Sequence, residues 1–241
     1  MATVTASKYG YVNASSELGW TSARNASTGN SIQNQSASTN TLQVSTKYTS
    51  GSKGSEWFVQ RQFLAFNVTA YQSGYTITSL KLYYLPTTST AGSGGAGMKI
   101  ALVQSTAQGN ADTNLAVADF NNFDDTVDYA ANDGSMANTW RDLATLQSFD
   151  LNATAIAVIA NGTANSYLKI CIMDYLNDYP DTAPTVNSTS HKAYCNFSTI
   201  PYLSFTATTT GYSNDVIGVS SANIDSVNAI ATADISEIIG V

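Results

Sequence analysis

Carboxylates are the residue type best placed to do chemistry in this chain. Asp124, Asp125 and Asp128 crowd one stretch, with Asp133 close behind, and Asp174, Asp178 and Asp181 crowd another. If folding brought such groups together they could act as the acid and base of glycoside hydrolysis, which needs two carboxyls about 5 to 9 Å apart, one with a raised pKa. The competing reading is that they solvate surface loops or bind calcium through oxygen ligands, and Asp124, Asp125 and Asp128 form the candidate calcium set. Neither stretch has the spaced pattern of an EF-hand loop. Other chemistries lack residues. The single histidine, His191, follows the polar run Asn187 to Ser190, and no Gly-X-Ser-X-Gly elbow occurs, so a Ser-His-Asp or Cys-His nucleophile is not expected. Cys171 and Cys195 with one histidine lack zinc-ligand spacing. The glycine-rich stretch Gly92 to Gly97 carries no following Lys-Ser/Thr and is a linker, not a phosphate cradle. The expectation is a non-enzymatic protein with no cofactor beyond a structural calcium.

Binding is the other use of such residues. Sugars are recognised by aromatic rings stacked on the apolar faces of pyranoses, with amides and carboxylates fixing the hydroxyls. Trp20, Trp57, Tyr175 and Tyr179, with Asp174 and Asp178, are the candidates. Each aromatic, taken singly, is as well explained by core packing. The net charge of −7, with lysine and arginine scattered, argues against nucleic acid and against anionic membrane surfaces. No apolar run approaches the roughly 18 residues of a membrane span.

The elements that must position these residues are strands. Trp57 to Val68 has Phe58, Leu64, Phe66 and Val68 on one parity, interrupted by Gln60 and Gln62, which predicts a long strand partly buried on both faces. After the turn at Gln72-Ser73-Gly74, Thr76 to Leu85 alternates, Leu80, Leu82 and Tyr84 opposing Ser79, Lys81 and Tyr83, and Pro86 closes it. Further strands are expected from Met98, and over Ala155 to Ala160, Ser166 to Met173, Ala193 to Phe197 and Tyr202 to Ala207. Asn110 to Ser135 reads as an irregular acidic excursion. Trp140, Leu143 and Leu146 read as a short helix capping one end of a sandwich. No βαβ alternation is present, so the fold class is all-β and antiparallel.

The segments Arg61-Gln62-Phe63-Leu64-Ala65-Phe66-Asn67-Val68 and Gly74-Tyr75-Thr76-Ile77-Thr78-Ser79-Leu80-Lys81-Leu82-Tyr83-Tyr84, with the closing Ile200-Pro201-Tyr202-Leu203-Ser204-Phe205, resemble the central and final strands of DNRLRE-type domains. The resemblance covers roughly Thr3 to Thr208 and implies an antiparallel jelly-roll β-sandwich like a carbohydrate-binding module, here residues 1–208.

Residues 209–241 form a different object. Val216-Ile217-Gly218-Val219, Val227-Asn228-Ala229-Ile230 and Ile238-Ile239-Gly240-Val241 recur at a fixed spacing, with Ile224 and Ile235 matching between them. Gly, Asn and β-branched residues at the repeated positions favour short turns alternating with extended segments over a helical supercoil. An Ile/Val-rich segment this short cannot bury its own apolar side chains, so Val216, Ile217, Val219, Ile224, Val227, Ile230, Ile235, Ile238, Ile239 and Val241 are expected to make an assembly contact. The repeat resembles the Ile-Gly-Val repeats that end many tailed-phage structural proteins.

Only 11% of the 241 residues are charged, against roughly 25% in average soluble proteins. Serine, threonine and asparagine supply the polarity, as suits a virion or extracellular surface. The first residues show neither the charged nor the apolar region of a signal peptide. Cys171 and Cys195 lie in strand-like runs and are readable either as a disulfide or as two buried thiols. The combined expectation is a structural or adhesive surface component, self-associating and docked to other virion or surface-assembly proteins, with a free glycan-binding module as the alternative.

Overall fold

Period-two alternation, rich in β-branched and aromatic residues, dictates strands through most of this chain. A computed structural model describes residues 1–34, 41–42, 44–51, 54–72, 74–84, 86–89, 100–109, 113–130, 147–160, 166–184, 195–197, 200–209, 226–227 and 230–231. Its strands begin with Ala2–Thr5 (β1), Lys8–Ser16 (β2), Ser31–Asn34 (β3), Thr41–Leu42 (β4), Ser45–Gly51 (β5), Gly54–Asn67 (β6), Tyr75–Tyr84 (β7) and Pro86–Ser89 (β8). They continue with Ile100–Ser105 (β9), Phe123–Asp128 (β10), Gln147–Asp150 (β11), Tyr167–Asp174 (β12), Cys195–Phe197 (β13), Tyr202–Thr209 (β14), Ser226–Val227 (β15) and Ile230–Ala231 (β16). Two helices accompany them, Trp20–Arg24 (α1) and Ala153–Ala160 (α2).

The result is an all-β antiparallel sandwich. One sheet runs β1-β14-β7-β11, and the other runs β10-β9-β12-β6-β2-β3 with β5 added on β6. The inner faces meet in one core: Leu80, Leu82, Leu203 and Phe205 from the first sheet pack with Leu64, Phe66, Leu102, Ile170 and Ile172 from the second. Each such side chain contributes about 1.5–3 kcal/mol by leaving water.

The larger sheet is buried on its outer face too. Val12, Val59, Phe63, Val103, Cys171 and Met173 point away from the first sheet into a second cluster, covered by Trp20, Ala23 and Phe120. That burial on both faces is why β6 and β12 read as near-continuous apolar runs. Cys171 is a free thiol within this layer, so it is not half of a disulfide. Burial pushes its ionisation well above the ordinary thiol range, which leaves it inert as a nucleophile.

Strand β6 changes partners midway. Along one edge β2 pairs from Ala65 to Trp57. Along the other, β12 pairs with Asn67 to Gln62 and β5 takes over from Gln60 to Gly54. Arg61 stands at the changeover and anchors the buried polar cluster of the outer layer.

Two expectations are corrected. Ala155 to Ala160 is not a strand but part of α2. Alanine is the best helix former, and Asn152 caps the first turn, its Oδ1 accepting from the Ala155 N–H at 3.2 Å. Nor is Asn110 to Ser135 an irregular excursion throughout. It contains a 3-10 turn at Val117–Asn121 and the edge strand β10, and it buries Leu115, Phe120 and Tyr129. Of its aspartates, Asp119 and Asp124 accept from local donors on Ala116, Asn122 and Thr126, whereas Asp125 and Asp128 accept from Arg24 and Tyr179, far away in sequence. The helix read from Trp140, Leu143 and Leu146 lies outside the described residues. In the tail, β15 and β16 form an antiparallel pair with Val227 opposite Ile230. Val216, Ile217, Val219, Ile224, Ile235, Ile238, Ile239 and Val241 lie outside the described residues.

Candidate functional site

The only charged residue on the buried outer face of β6 is Arg61, on the same parity as Val59 and Phe63, and it is 0% exposed. A cation sealed from water must be paired and hydrogen-bonded or the fold is lost. Asp178 supplies the pair: Arg61 Nε and NH2 donate to its two carboxylate oxygens at 2.8 and 2.7 Å. The remaining guanidinium donors reach the carbonyls of Phe120 at 3.0 Å and Arg24 at 2.8 Å. Two aromatic rings pack against it, with the guanidinium carbon 4.2 Å from the Phe120 centroid and 4.4 Å from that of Phe123. A planar guanidinium suits both contacts, and a lysine would serve neither well.

A second arginine extends the cluster toward solvent. Arg24, in the last turn of α1, donates through Nε to the Asp178 carbonyl at 3.1 Å and through NH2 to Asp125 at 2.8 Å. Trp20, at the other end of α1, donates its indole N–H to Asp181 at 2.9 Å. Asp181 sits at a φ of 49°, a left-handed conformation that aspartate tolerates better than most residues. The loop following β12 is thereby fastened to α1, β6 and β10 at once.

The residues predicted to bind a ligand are brought into this one layer. Trp20 meets Trp57 edge-on with centroids 5.9 Å apart, and Tyr48 lies 4.6 Å from Trp57. Tyr175 and Tyr179 stack at 5.8 Å, and the Tyr179 hydroxyl donates to Asp128 at 3.0 Å. Asp174 accepts from the Leu176 N–H at 2.9 Å and from the Thr46 hydroxyl, which ties the end of β12 to β5 where the two diverge from β6. Burial raises the Asp174 pKa to about 6 against the partial relief of these hydrogen bonds.

The layer therefore holds a buried acid of raised pKa close to a paired carboxylate, the electrostatic ingredients of a hydrolase. Access is what it lacks. Asp174 is 4% exposed and Asp178 1%, and both oxygens of Asp178 are already taken by Arg61. A pyranose cannot approach either.

The candidate calcium ligands are likewise engaged with protein. Asp124 accepts from the amide and hydroxyl of Thr126, which hold its carboxyl below the ordinary range. Asp125 is paired with Arg24, and Asp128 accepts from Tyr179. Among the described residues, no three His, Cys, Asp or Glu side chains converge on a metal-sized point.

Arg24, Arg61, Phe120 and Phe123 escaped the reading of the sequence as site residues. The signal for Arg61 was present: one arginine between Val59 and Phe63, in a strand read as buried on both faces, demands a buried carboxylate. Which carboxylate, 117 positions away, no local pattern discloses.

Among the described residues, a different surface is open. On the outer face of the four-stranded sheet, Tyr83 and Tyr202 stack across β7 and β14 with centroids 5.1 Å apart and planes within 5°. Beside them lie Lys81 paired with Asp150, and Ser79 donating to Thr206 at 3.2 Å. This face combines two half-buried aromatic rings with hydroxyls and one compensated charge pair.

No protein-family model matches the chain, and no curated protein matches it.

Proposed function

We propose that this protein is a non-catalytic structural or adhesive component of a virion or another extracellular assembly, in which the sandwich is displayed and the C-terminal repeat fastens it. The observation that carries this reading is the closed state of the outer layer. The groups most able to do chemistry, Asp174 and Asp178, are sealed and hydrogen-bonded, so their role is to hold the loop after β12 rigidly on the sheet. A rigid layer whose raised-pKa acid is sealed from solvent suits a display scaffold.

Strand order favours the jelly-roll form of the sandwich. With β2, β3, β5 and the short strands set aside, the chain visits β1, β6, β7, β9, β10, β11, β12 and β14. These fall in the order β1-β14-β7-β11 in one sheet and β10-β9-β12-β6 in the other, as two interlocked Greek keys require. The test of the reading is the oligomeric state of the full chain against one ended after Thr210, because the tail must be the part that associates.

A second reading, a glycan-binding module, draws on the Tyr83–Tyr202 pair. Its ligand would be a neutral sugar chain, since among the described residues the charges beside the rings, Lys81 and Asp150, cancel. Retardation of the protein in gels containing neutral polysaccharides tests it.

A further inference from the structure

The inner face of β6 carries a polar anomaly. Gln62 precedes Leu64 and Phe66 on the core side of the strand and is 0% exposed, yet neither its amide nitrogen nor its amide oxygen has a hydrogen-bond partner. Leaving a buried polar group unsatisfied costs about 1–3 kcal/mol, and native cores contain few such groups. The same side chain lines a small cavity between the sheets, walled otherwise by Leu64, Leu82, Tyr84, Ile100, Ile172 and Pro201. The room for the centre of a water-sized sphere is about 10 Å³, close to the ~10–15 Å³ at which a cavity first holds one water. A cavity lined only by aliphatic residues would stay dry. A primary amide in the wall alters the balance, because it presents N–H donors and a carbonyl acceptor on one edge.

We propose that this cavity is a binding site for a single internal water molecule, held by the Gln62 amide. The water accepts from Nε2–H and donates to Oε1, completing both orphaned groups at once, with Tyr84 in the same wall. The water is then a structural part of the sandwich core, and Gln62 interrupts the apolar parity of β6 because the space beside it is too small for a side chain and large enough for a solvent molecule.

An experimental structure at a resolution that shows ordered solvent is the direct test. The expected result is one density peak at hydrogen-bonding distance from the Gln62 amide. A cavity without density, or a Gln62 amide turned onto protein groups, overturns the proposal. Water-nucleus magnetic relaxation dispersion gives an independent measure: the number of long-lived internal waters should fall by one in Gln62→Met, and an unchanged number in the folded variant contradicts the assignment. Should that variant not fold, the wild-type structure decides alone.

Discussion

Arg61 and Asp178 lie 117 positions apart in sequence and share two parallel hydrogen bonds of 2.8 and 2.7 Å, with neither side chain more than 1% exposed. The pair sits where β6 exchanges β12 for β5, a point at which the sheet divides and its outer face would otherwise open. Desolvating two charges offsets much of their attraction, so the pair specifies how the loop after β12 docks more than it adds net stability.

Arg61→Met is expected to destabilise the fold by about 3–5 kcal/mol, because it takes the two-bond partner from the buried Asp178 carboxylate and leaves it only Arg24, whose Nε lies 3.4 Å away. The double variant Arg61→Met, Asp178→Leu should recover much of that loss. Denaturant midpoints of the two variants measure it. A double variant no more stable than the single one would show that packing against Phe120 and Phe123, rather than charge pairing, is what Arg61 provides.

Asp174 makes stability depend on pH in a defined direction. Its folded pKa of about 6 stands above the ordinary aspartate value of 3.8, so the fold favours the protonated form. The contribution is fully present below about pH 3.8 and is lost as pH rises through about 6. Relative to Asp174→Asn, which cannot ionise, the wild type should lose stability between pH 4 and 7. Parallel stability profiles for the two proteins across that window would refute the assignment.

Lys169 is 6% exposed, and its ammonium donates to the carbonyls of Ala107 at 3.0 Å and of Gly109. Lys169→Met leaves both carbonyls without that donor and should cost about 1–3 kcal/mol, with faster amide exchange in the 107–109 turn. A change within about 0.5 kcal/mol, the range of ordinary surface substitutions, would mean that the turn is held without it, by Asp119 accepting from the Gln108 N–H at 3.3 Å and by the Thr113 hydroxyl donating to the Gln108 carbonyl at 2.9 Å.

On the open sheet face, Tyr202→Ala removes half of the ring pair without touching the core. If this face binds neutral glycans, the variant should lose gel retardation by about tenfold or more, the equivalent of some 1.4 kcal/mol, while its unfolding midpoint moves little. Equal retardation of variant and wild type would remove the glycan reading from this face.

The sandwich was legible because its signals are local. Alternation in Thr76 to Leu85 fixed which side of β7 faces inward, and the apolar run of Trp57 to Val68 announced a strand buried on both faces. Alanine defeated the same logic in α2, where Ala155 and Ala157 alternate with Ile156 and Val158 as a strand would. Propensity and the Asn152 cap decided for a helix. Residues of the outer layer were named in part: Trp20, Trp57, Tyr175, Tyr179, Asp174 and Asp178 are together in it, but as members of a closed network. Its centre, Arg61, answers to partners on α1, on the 3-10 turn and on the loop after β12. Those partners are set by tertiary packing, which residue spacing along the chain does not encode.

The measurement closest to the central claim is the molar mass in solution, by light scattering after gel filtration, of the full chain and of a chain ended after Thr210. The account predicts an oligomer for the full chain and a folded monomer for the shortened one, with Val227, Ile230 and their repeats as the contact. Monomers in both cases, or the same oligomer in both, would contradict assembly through the tail.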